Sequence, residues 1–169
     1  MDPCCGSHRA GYRCAFLKWA GARGLPRPVC RRMLSLWRPN RYRRGDILFY
    51  EGNEPLSLYF LCEGMVKLVR AEGTGRRHIL RVIAGADLLG ERALLAGQPY
   101  AASAEVMEDS KICTLEAARF GELWRADPEL ARKFARHLAL RLAEADEAAC
   151  DLALCTVREL LSKVIARRL

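Results

Sequence analysis

The chain has no apolar run near the ~18 residues that a membrane-crossing helix needs. Its longest runs, such as Ile47–Tyr50 and Leu58–Cys62, are strand-sized. The opening residues, MDPCCGSHRAGYRC, hold no apolar stretch of signal-peptide length, so no secretory leader is read there. Both absences point to a cytoplasmic protein, with no membrane partner. Its cysteines are then thiols or metal ligands rather than disulfides. Histidine is scarce too: three in 169 residues, His8, His78 and His137, far apart. That distribution supports neither a Ser/His/Asp arrangement nor a His/Glu metal set, so no enzyme is expected. His78 and His137 are read as solvent-facing.

Acidic side chains are nearly missing from residues 1–46, which hold only Asp2 and Asp46 against eleven Lys and Arg, a balance of +9. The whole chain carries 28 basic and 20 acidic residues, +8, so the remainder is close to neutral at −1. A charge of this sign and place suits an arm that meets phosphates. The preferred reading is a solvated, partly disordered arginine-rich lead-in, because no aromatic-basic alternation or groove-binding motif accompanies the charge. What is plentiful is apolar mass: 51% of residues are hydrophobic, enough for a core, which excludes wholesale disorder. Eight cysteines is a high count for this length.

Four segments follow along the chain. Residues 1–40 are basic and cysteine-containing, punctuated by Gly21, Gly24, Pro26, Pro28 and Pro39, with short helical stretches such as Cys30–Trp37. Residues 41–126 read as short strands: Tyr42, Ile47–Tyr50, Leu56–Leu61, Met65–Arg70, Arg77–Ile83 and Lys111–Leu115. Turns at Gly45, Glu51-Gly52-Asn53, Glu63-Gly64 and Gly73-Thr74-Gly75 separate them, which predicts an antiparallel sandwich or barrel. A short helix over Ala117–Arg125 closes this part.

Residues 127–155 read as one long helix, opened by Asp127 as cap and Pro128 at the first position. Its positions Ala131, Ala135, Leu138, Leu142, Ala145, Ala149, Leu152 and Thr156 step by four and three, the repeat of a seam between two helices. A homodimer is expected there, with Leu138, Leu142, Ala145, Ala149 and Leu152 as its seam. A second apolar edge, Leu130, Phe134, Leu140 and Leu154, is expected to pack on the β part.

The run Leu89-Gly90-Glu91-Arg92-Ala93-Leu94-Leu95-Ala96-Gly97-Gln98-Pro99-Tyr100-Ala101-Ala102-Ser103 resembles the phosphate-binding cassette of cyclic-nucleotide-binding domains, roughly G-E-x-A-L-L-x-G-x-P-R-A-A-T. Tyr42–Gly52 resembles that family's first strand and turn, Leu58–Leu68 its glycine-turned hairpin, and Ala86–Glu91 the run before the cassette, with Ala86 where glycine is usual. These matches cover about residues 41–160 in family order. The long helix makes the Crp/Fnr transcription regulators the nearest branch. The resemblance implies a mainly β fold: a double-stranded β-helix, jelly-roll-like, followed by a dimerisation helix.

It also implies an effector site at Gly90, Glu91, Arg92, Tyr100, Ala101 and Ala102. In the family's cassette a Glu accepts from the ribose hydroxyl and an Arg neutralises the cyclic phosphate. Here Gly90 and Glu91 hold their positions, but the arginine position is Tyr100, which brings no charge; a cyclic nucleotide is therefore not the expected effector, and the effector is left unnamed. The stretch of long helix that would face a purine, near Leu142–Ala145, offers only Glu144.

Some Fnr-like members carry an iron–sulfur cluster on three N-terminal thiolates and one from a strand of the roll. That resemblance points to Cys5, Cys14, Cys30 and Cys113 as candidate ligands, with Cys4 as a further N-terminal thiol, although the spacings are looser than a cluster motif. A zinc site on Cys4, Cys5, His8 and Cys14 is the second possibility. In the third no metal binds, the N-terminal thiols are free, and Cys62, Cys113, Cys150 and Cys155 are small buried hydrophobes.

Residues 156–169 resemble the first helix of a winged helix-turn-helix, with no recognition helix after it, so DNA contact is expected only through a module missing from this sequence. The expected function is the sensor and dimerisation part of a Crp/Fnr-type regulator. The alternative is a stand-alone cyclic-nucleotide-like or iron–sulfur redox-sensing domain acting on a protein partner.

Overall fold

A computed structural model describes residues 14–155 apart from Thr74. The elements in order are α1 (Ala15–Ala22), α2 (Arg27–Leu36), β1 (Arg38–Tyr42), β2 (Ile47–Phe49), β3 (Ser57–Glu63), β4 (Met65–Ala71), β5 (Arg77–Ala84), β6 (Asp87–Leu89), α3 (Glu91–Ala96), β7 (Ser103–Val106), β8 (Ser110–Glu116), α4 (Ala117–Ala126) and α5 (Pro128–Leu154). Cys4, Cys5, His8 and the helix-turn-helix-like residues 156–169 lie outside the described residues. Contacts divide the chain into two units, residues 1–131 and 132–169.

The strands form two four-stranded antiparallel sheets, ordered β1-β8-β3-β6 and β2-β7-β4-β5. This is the expected jelly-roll-like architecture. Alternation along each strand sends one set of side chains inward. Leu48, Phe49, Leu61, Val66, Ile83, Leu89, Ala104, Val106 and Ile112 make the core between the sheets. Two strands, β6 and β7, are absent from the expected set; they flank the cassette and are only three and four residues long, too short to show a period.

The β3–β4 hairpin turns at Gly64, whose φ of +109° is open to glycine and strained for other residues. A Cβ there would run into Ser110, whose Cα lies 2.9 Å from that position. Ser110 is fixed in turn: its hydroxyl donates to the Glu108 carbonyl at 2.6 Å and accepts from the Met65 amide at 3.3 Å.

The N-terminal helices overturn the reading of a solvated lead-in, at least from Cys14 onward. Leu61 points into the core, so Phe60 projects from the opposite face of its sheet. There it meets Phe16 at 5.2 Å, Trp19 at 5.6 Å and Trp37 at 6.1 Å between ring centroids. Phe16, Trp19, Ala20, Val29, Met33, Leu34 and Trp37 are all buried. Arginines crowd the same segment, but Arg27, Arg31 and Arg32 fall on the exposed arc of α2 while Val29, Cys30, Met33 and Leu34 fall on the other. The helix begins at Arg27, three residues before the expected Cys30, because Pro26 caps it in an extended conformation and Pro28 fits the first turn.

The start of α5 is as expected: the Asp127 carboxylate accepts from the Glu129 and Leu130 amides, each at 3.1 Å. Its apolar edges differ. Leu130, Phe134 and His137 are buried, whereas Leu140 and Leu154 are exposed. Steps of four and three keep 130, 134 and 137 on one stripe, and 100° per residue carries 140 and 154 off it. His137 is therefore a stripe residue and not the solvent-facing one expected; His78 is exposed and lies 3.6 Å from Glu72. Leu142, Ala145, Ala149 and Leu152 are exposed and Leu138 is half-buried. Among the described residues no helix is long and apolar enough to cross a membrane.

Candidate functional site

The cassette begins where β6 ends. Gly90 takes φ +86°, turning the chain from strand into α3, and Gly97 at φ +60° ends that helix. The loop after it is pinned to the β2–β3 turn: the Tyr100 amide donates to the Asn53 carbonyl at 2.9 Å, and the Gly52 amide donates to the Tyr100 carbonyl at 2.8 Å. The Glu51 amide donates to the Ser103 hydroxyl at 2.9 Å.

This pinning turns Tyr100 inward. Its ring stacks on Phe49 at 3.9 Å with 15° between planes. Its hydroxyl donates to the Ser57 carbonyl at 2.9 Å. Burial, then the Tyr59 phenol, pushes its pKa up to about 12, so it stays neutral. The ring also lies over Gly90, with Cε1 3.2 Å from where a Cβ would be. Gly90 is thus required twice, for its φ and for the ring above it.

Glu91 is 8% exposed, and burial pushes its carboxyl up to about 7, with the Asp87 carboxylate adding to the rise and Arg81 and Arg92 opposing it. Arg92 itself is exposed, as is Ala101, while Ala102 is buried. The expected site residues therefore gather around one cassette, but they split into inward groups, Glu91, Tyr100 and Ala102, and outward ones, Arg92 and Ala101.

Three partners of the cassette were not legible in its motif. Asp87 accepts from the Trp19 indole at 3.2 Å, from the Leu88 amide at 2.9 Å and from Arg81 at 3.0 Å. Arg23 caps the same indole, 4.3 Å above its ring. These links join α1 and β5 to the strand leading into the cassette. Trp19 lies 68 residues from Asp87, so no local pattern could have indicated the pair.

Among the described residues Cys14, Cys30 and Cys113 do not come together as a cluster site. Among the described residues no group of three His, Cys, Asp or Glu side chains could hold a metal ion. Cys113 instead touches Cys62, with 3.5 Å between sulfurs. Cys30 is buried and its thiol points to the Leu25 carbonyl at 3.8 Å; burial pushes its pKa up, away from the thiolate a cluster needs. Cys14 is half-buried, and Cys5 lies outside the described residues. Cys150, expected to be buried, is exposed, because it falls on the part of α5 where nearly every position is exposed.

The cyclic nucleotide-binding domain model matches residues 39–127. The chain belongs to that family. A cyclic AMP receptor protein of Thermus thermophilus is 34% identical over 113 residues, covering 67% of this chain and 52% of that protein. A CRP-like cAMP-activated global transcriptional regulator of Mycobacterium tuberculosis is 29% identical over 115 residues, covering 68% and 51%. The crystal structure of the Thermus thermophilus catabolite activator protein superposes with a TM-score of 0.67 at 32% identity, covering 77% of this chain and 61% of that one. The family member is of the Crp/Fnr type, and it spans about half the length of the curated relatives it matches. Gly90 and Glu91 stand at the positions that the cassette resemblance implies, and Tyr100 stands where it implies an arginine.

Proposed function

We propose that this chain is the sensor and dimerisation part of a Crp/Fnr-type transcription regulator, that it is not an enzyme, and that its cassette does not hold a cyclic nucleotide. The observation that carries the last point is Tyr100. In the family pattern this position supplies a cation for the cyclic phosphate. Here a neutral phenol stands there, with its ring stacked on Phe49 and its hydroxyl held by the Ser57 carbonyl. A phosphate entering that position would meet a buried group with no charge, and desolvating an anion without a partner is costly.

The seam on α5 supports the dimer: Leu142 and Leu152 are 63% and 75% exposed in the single chain, with exposed Ala145 and Ala149 between them. Small residues between leucines let two helix backbones approach closely. An effector signal would pass along this helix to a DNA-binding module, a reading supported by similarity to proteins named transcriptional regulators. Isothermal titration with cyclic AMP and cyclic GMP tests the cassette reading. No heat is expected, and micromolar binding of either would overturn it.

A further inference from the structure

We propose that Cys62 and Cys113 form a peroxide-reactive dithiol that closes to a disulfide joining β3 and β8. The two sulfurs are 3.5 Å apart. Cys113 sits opposite Phe60 in the β3–β8 register, and Ile112 beside it points into the core, so Cys113 faces outward with Phe60. Cys62, two residues beyond Phe60, sits on that same outward side.

The register between these strands shifts between Leu61 and Glu63, which leaves Cys62 as the additional residue of a β-bulge. Diagonal neighbours on paired strands are ordinarily about 7–8 Å apart, too far for a bridge. A bulge bends its strand and displaces its extra residue, which accounts for sulfurs already in contact here. Closure needs them to move from 3.5 Å to about 2.05 Å, and the yielding point of the ladder is at Cys62 itself.

The two sulfurs have different access. Cys62 keeps 9% exposure and Cys113 only 1%. A small oxidant such as hydrogen peroxide therefore reaches Cys62 first. The Cys62 thiolate attacks one peroxide oxygen, the O–O bond breaks, and a sulfenic acid forms with release of water once the leaving hydroxide takes a proton. The Cys113 sulfur then attacks the Cys62 sulfur, the S–O bond breaks, and a second water leaves with the Cys113 proton. Two thiols and one hydrogen peroxide give one disulfide and two waters; the sulfurs are oxidised and the peroxide oxygens reduced. The bridge lies beside Phe60, which anchors Phe16, Trp19 and Trp37, so the chemistry sits directly under the N-terminal helices. This inference is independent of the effector reading.

The test treats the native full chain with hydrogen peroxide, alkylates the remaining thiols, and maps peptides by mass with and without prior reduction. The expected result is a Cys62–Cys113 linked peptide, lighter by two hydrogens than its separated halves, and reversed by dithiothreitol. It is lost in Cys62→Ser and in Cys113→Ser and retained in the Cys150→Ser/Cys155→Ser double variant, whose exposed and half-buried positions leave the fold undisturbed. The double variant keeps the test decisive if either buried variant fails to fold. Recovery of Cys62 and Cys113 as separately alkylated or singly oxidised peptides, or a link formed only in denaturant, overturns the proposal.

Discussion

Tyr100 lies flat against Phe49, 3.9 Å away, and donates its hydroxyl to the Ser57 carbonyl at 2.9 Å, at the position where the cassette resemblance implies an arginine. The replacement is structural as well as electrostatic, because the same ring also packs on Gly90. Tyr100→Phe should keep the stack and lose one hydrogen bond, lowering stability by about 1 kcal/mol. Tyr100→Arg should lose the stack, melt several degrees lower, and bind cyclic AMP where none is expected to bind to the parent chain. Titration calorimetry beside thermal melts reads both effects; an arginine variant that folds and still gives no heat would show that more than this one residue stands against the nucleotide.

Glu91 makes stability depend on pH in a defined direction. Its folded pKa, about 7, lies above the ordinary 4.5. The folded state therefore binds the proton more tightly. The contribution is complete below pH 4.5 and is lost as pH rises through about 7. The shift corresponds to about 3 kcal/mol. Glu91→Gln should flatten this part of the profile and melt higher than the parent at about pH 8, where the parent carries a buried charge. Melting curves from about pH 5 to about pH 8 on both proteins measure it.

Asp87 ties α1 and β5 to the cassette, and its charge raises the Glu91 pKa. Asp87→Asn should therefore do two things. It should destabilise the fold by about 2–3 kcal/mol through loss of charged hydrogen bonds. It should also move the Glu91-dependent transition to lower pH. Chemical denaturation at several pH values separates the two effects.

Gly64→Ala should be among the most damaging single-methyl changes. It combines a φ of +109° with a collision against Ser110. A loss of about 2–4 kcal/mol is expected from the strained backbone and the forced shift of β8. Urea midpoints measure it, with Gly45→Ala, which has open space around its Cβ position, isolating the backbone contribution.

Leu142→Glu/Leu152→Glu should abolish self-association without unfolding the chain, since both residues are exposed in the single chain. Light scattering at tens of micromolar should give a dimer for the parent and a monomer for the variant.

Much of the β-roll could be read in the chain because its signals are local: glycine turns at Gly45, Gly52 and Gly64, alternating apolar strands between them, and the cassette run itself. The α5 start was legible from Asp127 and Pro128 for the same reason. The N-terminal packing was not, because eleven basic residues dominate residues 1–46 and mask the apolar positions interleaved with them. The site was legible only as positions. The motif placed Glu91 and Tyr100 next to one another in function, but the stack on Phe49, the Ser57 carbonyl and the Trp19–Asp87–Arg81 network join segments far apart in sequence. The Cys62–Cys113 contact depends on a bulge, and a one-residue slip between strands leaves no mark in composition.

The aromatic layer of Phe16, Trp19, Trp37 and Phe60 bears on where this protein can be cut. The family match begins at residue 39, and a shortened chain starting there would look complete by homology. It would strip the covering from Phe60 and leave Asp87 facing water. A sticky, poorly folding product is the natural outcome, so the smallest unit worth expressing begins before Cys14 and keeps both N-terminal helices.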